Sequence, residues 1–78
     1  MEYSDRELWI TGKRGAGVCL NIIHYENGAI IASAEDERVT GRQIERALTR
    51  EYPGKSFRIA RDRGYIYARH EPQLEDLR

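Results

Sequence analysis

The sequence predicts one small α+β domain, an antiparallel sheet in the order β-β-β-α-β-β with a single helix packed on one face. Three observations predict it: two strand-like runs joined by Asn27-Gly28, a helix bounded at both ends, and a second pair of alternating runs around residues 62–64.

The first strand is expected at "ELWIT", 7–11, ended by "GKRGAG", 12–17, whose closely spaced glycines mark a loop. "VCLNIIHY", 18–25, and "AIIASAE", 29–35, flank Asn27-Gly28, the strongest short hairpin signal because a type I′ turn needs positive φ at both central residues. A two-residue turn sets Tyr25 opposite Ile30 and Ile23 opposite Ala32. Strand alternation then groups Cys19, Asn21, Ile23, Tyr25, Ile30, Ala32 and Ala34 on one face, and Val18, Leu20, Ile22, His24, Ile31, Ser33 and Glu35 on the other. Neither face is cleanly polar, so one helix would leave apolar surface uncovered.

Thr40 and Gln43 form a T-x-x-Q capping box, and Val39 and Ile44 occupy the positions of a hydrophobic staple. Pro53 and Gly54 stop this helix near Glu51 or Tyr52. Ile44, Ala47, Leu48 and Tyr52 make its apolar stripe, with Arg42, Arg46 and Arg50 opposite as a solvated face and Glu45 in reach of Arg42. "SFRIAR", 56–61, and "GYIYAR", 64–69, alternate around "DRG", with Gly64 in a left-handed position. Pairing Arg61 with Tyr65 groups Phe57, Ile59, Arg61, Tyr65, Tyr67 and Arg69, and leaves Arg58, Ala60, Ile66 and Ala68 on the other face, where Ala60, Ile66 and Ala68 are small enough to seat the helix. Residues 1–70 are expected to form the domain and residues 71–78, charged and containing Pro72, a flexible tail.

At 78 residues the core is thin. Thirteen Lys and Arg balance thirteen Asp and Glu, so no net field draws the chain to nucleic acid or membrane. A lone cysteine, Cys19, excludes an internal disulfide framework and a multi-thiolate metal site. With no apolar run of membrane-spanning length and an acidic start, "MEYSDRE", the protein is expected to be cytoplasmic.

No catalytic constellation is visible, so no enzymatic activity and no cofactor are expected. "GKRGAG" fits neither phosphate-binding glycine spacing, and the residues after it read as a strand. His24 sits in a strand, where packing is its natural role, and the carboxylates of "EDE", 35–37, alternate faces and do not converge on a metal. Arg61, Tyr65, Tyr67 and Arg69 are the candidate nucleic-acid contacts: aromatic faces stack on bases while guanidinium groups meet phosphates. The uncovered apolar face, Val18, Leu20, Ile22 and Ile31, points to a protein interface, including a homodimer.

Residues 21–42, "NIIHYENGAIIASAEDERVTGR", resemble the central hairpin of small phage-encoded anti-CRISPR proteins of the type I-F class. The shared elements are Asn21-Ile22, the tip Tyr25-Glu26-Asn27-Gly28, Ile31, an acidic residue at Asp36, and Val39-x-Gly41 followed by a basic residue. The resemblance implies a non-enzymatic inhibitor that binds the protein backbone of a crRNA-guided surveillance complex in the host cytoplasm and hinders target-DNA recognition. It places the tyrosine matching Tyr25 and the acidic position matching Asp36 on the binding surface, so Tyr25, Glu26, Asn27 and Asp36 are the candidate protein contacts. Asp36 stands where the family has glutamate.

Overall fold

A computed structural model describes residues 3–72. The elements are β1 (Tyr3–Thr11), β2 (Gly17–Tyr25), β3 (Ile30–Glu35), α1 (Gly41–Glu51), β4 (Arg58–Asp62) and β5 (Tyr65–His70). The five strands form one antiparallel sheet in the spatial order β1-β2-β3-β5-β4, so the α+β architecture is as the sequence predicts. β1 starts four residues earlier than the apolar run suggested and pairs with β2 along its whole length. Of the tail expected at 71–78, residues 73–78 lie outside the described residues.

The register of both hairpins differs by one residue from the sequence reading. At the first, the Gly28 amide donates to the Tyr25 carbonyl and the Tyr25 amide donates to the Ala29 carbonyl, so Glu26, Asn27 and Gly28 make a three-residue loop. Gly28 alone takes positive φ there, +95°, as in a type I turn closed by a left-handed glycine. Asn27 is spent on the turn itself: its Oδ1 accepts from the Ala29 amide at 3.0 Å. His24 therefore faces Ile30 and Ile22 faces Ala32.

That single step turns β3 over. Ile30, Ala32 and Ala34 join Val18, Leu20 and Ile22 on one face, all buried, while Ile31, Ser33 and Glu35 move to the other. The mixed faces expected from a two-residue turn are replaced by one apolar face, and Val18, Leu20 and Ile22 are core rather than uncovered surface.

The second hairpin closes on Arg63-Gly64, with φ of +53° and +83°, the two-residue turn with both central residues left-handed. Asp62 then faces Tyr65 and Arg61 faces Ile66. Ile59 and Arg61 lie on the helix side with Ile66 and Ala68, whereas Arg58 and Ala60 share the far side with Tyr65, Tyr67 and Arg69. Ile59, not Ala60, seats the helix: its Cγ2 would lie 3.2 Å from a Cβ placed on Gly41.

α1 begins as expected. The Gln43 amide donates to Thr40 Oγ1 at 3.1 Å, and the Thr40 amide donates back to Gln43 Oε1 at 2.8 Å. Val39 and Ile44, the staple pair, are fully buried. Ile44 and Leu48 share one fully buried cluster with Leu20, Ile22 and Ile66, and burying each such aliphatic side chain is worth about 1.5–3 kcal/mol.

At the C-terminal end of α1, an aromatic group closes the core. Arg6 donates to the Tyr52 hydroxyl, which also shares a hydrogen bond with His24 Nε2 at 2.7 Å. Phe57 lies between the Tyr52 and His70 rings, and His70 Nδ1 donates to the Ser56 carbonyl at 2.9 Å. Both histidines are thus packed, hydrogen-bonded members of the covered side. Gly12 is held by the first loop: a Cβ there would lie 2.3 Å from the Arg38 carbonyl oxygen, so only glycine fits.

Candidate binding surface

With α1 on one side, the opposite side of the sheet is open. Alternation and register place Asp5, Glu7 and Trp9 of β1 beside Cys19, Asn21, Ile23 and Tyr25 of β2. Ile31, Ser33 and Glu35 of β3 follow, then Tyr65, Tyr67 and Arg69 of β5, and Arg58, Ala60 and Asp62 of β4. No element of the described residues lies over this face.

Its apolar content is high for an open face. Trp9 is 68% exposed and Tyr65 47%, while Ile23, Ile31 and Tyr67 are half-buried. The Tyr65 and Tyr67 rings stand 6.4 Å apart and tilted, anchored by alternate positions of one strand. A shallow depression of about 320 Å³ opens between them and β1, lined by Glu7, Trp9, Cys19, Asn21, Ser33 and Tyr65.

Cys19 lies in that depression as a thiol. Its Sγ donates to Glu7 Oε2 at 3.2 Å. Burial first, then the hydrogen bond to Glu7 and its negative charge, push the Cys19 pKa up. A thiol held protonated in this way is a poor nucleophile.

The candidate residues named from the sequence fall in different places. Tyr25, Glu26 and Asn27 sit together at one end of the sheet, with Tyr25 on the open face two residues from Ile23. Asp36 follows β3 at the other end, roughly 20 Å away along an extended strand. Its carboxylate is ion-paired with Arg61, and its carbonyl accepts from Lys13 Nζ at 3.3 Å. The structure therefore does not bring Asp36 to the tip.

Of the four aromatic and basic candidates, Tyr65, Tyr67 and Arg69 share the open face, and Arg61 does not. Arg58 takes its place, directly opposite Arg69. Arg69 makes a long, exposed contact with Glu71 at 3.4 Å.

Sequence reasoning missed Trp9 and Arg58 as members of this face; it grouped Ile23 with Cys19, Asn21 and Tyr25 as found, and read Ile31 as uncovered but beside Val18, Leu20 and Ile22, which are core. Trp9 had a signal: within "ELWIT" it is out of phase with Leu8 and Ile10, which pack on the core. Ile31 and Arg58 were hidden by the one-residue register differences.

Among the described residues no group of three or more His, Cys, Asp or Glu side chains is placed to hold a metal ion. No helix among them is long and apolar enough to cross a membrane. Comparison with protein-family models, with curated proteins and with solved structures finds no match for this chain.

Proposed function

We propose that this chain is a small non-enzymatic inhibitor that binds a larger protein assembly through the open face of its sheet. Following the likeness of residues 21–42, the assembly is a type I crRNA-guided surveillance complex, whose target-DNA recognition is blocked. The observation that carries a binding role is the exposed aromatic and aliphatic surface, Trp9 and Tyr65 with Ile23, Ile31 and Tyr67, on the side that α1 leaves bare. Trp and Tyr are the side chains that most often anchor protein interfaces, and contiguous exposed apolar surface on a small domain marks such interfaces. Tyr25 and Glu26 extend this surface to the hairpin tip; Asp36 belongs to a separate, internally paired corner.

Arg58 opposite Arg69, beside Tyr67, supports a second reading as a single-strand binding face, because two cations directly opposed in a sheet repel unless an anion joins them. The carboxylates of Asp5, Glu7, Glu35 and Asp62 on the same face oppose a polyanion lying across it. Protein is the better-matched partner.

The test is a pull-down of the tagged chain against purified type I surveillance complexes, beside anisotropy with a labelled single-stranded oligonucleotide. The expected result is capture of a complex, weakened at least about tenfold by Tyr65→Ala or Tyr25→Ala, each of which keeps the wild-type circular dichroism. Oligonucleotide binding that falls steeply with salt, with no complex captured, would transfer the function to nucleic acid.

A further inference from the structure

A second surface lies at the outer edge of β1, where the sheet order leaves one side of a nine-residue strand without a neighbour among the described residues. Between this edge and α1 runs a groove of about 520 Å³, lined by Leu8 and Ile10 from β1 and by Arg42, Arg46, Ala47 and Arg50 from α1, among others. Leu8, Ile10 and Ala47 are half-buried there, so the floor is apolar and partly open to solvent. All three arginines are exposed, and none has an ion-pair partner among the described residues.

The arginines recur at every fourth residue, so each stands beside another cation along the helix, an arrangement that destabilises an isolated helix. Glu51, the carboxylate at the groove's end, is already taken by Arg6 at 2.7 Å, a contact that also holds the Arg6 proton more tightly. Glu45 lies outside the groove lining. The groove therefore joins three things: an unpaired strand edge, an apolar floor and a row of unmatched positive charge.

We propose that this groove docks an extended acidic peptide segment of a partner protein, added as a sixth strand alongside β1. Backbone hydrogen bonds to the free edge supply affinity that does not depend on sequence, and alternate side chains on the helix side supply specificity. Those positions meet Leu8, Ile10 and the three guanidinium groups, so they take a mixture of aliphatic side chains and carboxylates. The steps are commensurate: four residues of helix advance about 6 Å, and two residues of strand about 6.7 Å. A second copy of the chain fits less well. Pairing two β1 edges antiparallel puts both helices on one side of the merged sheet, and the two arginine rows would confront each other.

The probe is a fluorescein-labelled nine-residue peptide, Glu-Thr-Val-Thr-Glu-Thr-Val-Thr-Glu, whose alternate positions turn carboxylates and aliphatic groups to one side; binding is followed by anisotropy, with Lys in place of each Glu as its control. Binding is expected for the acidic peptide only. Arg46→Glu should weaken it about tenfold and Arg42→Glu/Arg46→Glu/Arg50→Glu abolish it, whereas Lys55→Glu, the same charge change outside the groove, should leave it unaltered. Thermal melts of each variant establish that it is folded. Strand addition is read separately: N-methylation of alternate peptide residues should abolish binding in one phase and spare it in the other.

No binding of the acidic peptide at millimolar concentration overturns the proposal. Equal loss from both methylation phases, or insensitivity to both, would also do so, because neither fits an added strand. Tighter binding of a single-stranded oligonucleotide by the same arginines would assign the groove to nucleic acid. A peptide-independent dimer in light scattering, dissociated by Leu8→Arg, would assign it to a second copy.

Discussion

At the scale of single residues, Cys19 shows how the sheet decides a side chain's chemistry. In the sequence it is a lone thiol with no catalytic constellation around it. Cross-strand pairing of β1 with β2 sets Trp9 opposite Cys19 and Glu7 diagonally within reach of Sγ, and the carboxylate accepts a hydrogen bond from the thiol. Burial and that acceptor both raise the folded pKa above the ordinary cysteine value of about 8.5. The thiol proton therefore favours the folded state below that ordinary value, and the contribution is lost as pH rises through the folded pKa. Alkylation by iodoacetamide at pH 8.5 should accordingly be slower for the folded protein than for the same chain in denaturant. Glu7→Gln removes the charge while leaving the burial, so it should speed alkylation of the folded form a few-fold. An unchanged rate would mean that access alone, and not Glu7, protects the thiol.

At the scale of elements, the helix was legible and the hairpin registers were not, for a physical reason in each case. α1 is specified by contiguous residues: Thr40 and Gln43 satisfy each other's backbone amides whatever the rest of the chain does. Thr40→Ala removes the acceptor for the Gln43 amide and should lower the unfolding free energy by about 1 kcal/mol. Urea unfolding reads this as a lower midpoint at unchanged slope. Thr40→Ser, which keeps the hydroxyl, should recover most of the loss, and failure to recover it would assign the effect to the Thr40 methyl group. Asn27-Gly28, by contrast, serves a two-residue or a three-residue loop equally well. The choice is made by burial: only the longer loop puts Ile30, Ala32 and Ala34 under α1 with Val18, Leu20 and Ile22. Asking which register makes one face wholly apolar would have found it. At the second hairpin Arg63 gave little warning, because an arginine at positive φ is uncommon outside such turns. The resulting exchange of Arg61 for Arg58 rewrote the aromatic and basic face.

At the scale of the whole molecule, the two sides of the sheet differ in burial, and the proposed function assigns stability to one and recognition to the other. The helix side holds the large fully buried side chains, Leu20, Ile22 and Ile66 against Ile44 and Leu48, so truncation there leaves a cavity in a thin core. Leu20→Ala should cost about 2–5 kcal/mol, a large part of the stability of a domain this size. Ile31 and Tyr65 face the other way, and Tyr65 is 47% exposed, so truncating it removes little buried area and should change stability by less than about 1 kcal/mol. Under the proposed function the order of effects reverses for binding. Tyr65→Ala should release the partner complex while the melting temperature stays close to wild type, and Leu20→Ala should lower the melting temperature while the folded fraction still binds at full affinity. Measuring both quantities on both variants distinguishes a surface that recognises from one that only packs. If Tyr65→Ala destabilised the domain as much as Leu20→Ala, the open face would be a second core, covered by a second chain. If neither variant altered capture, recognition would lie at the β1 edge instead, where the arginines of α1 stand.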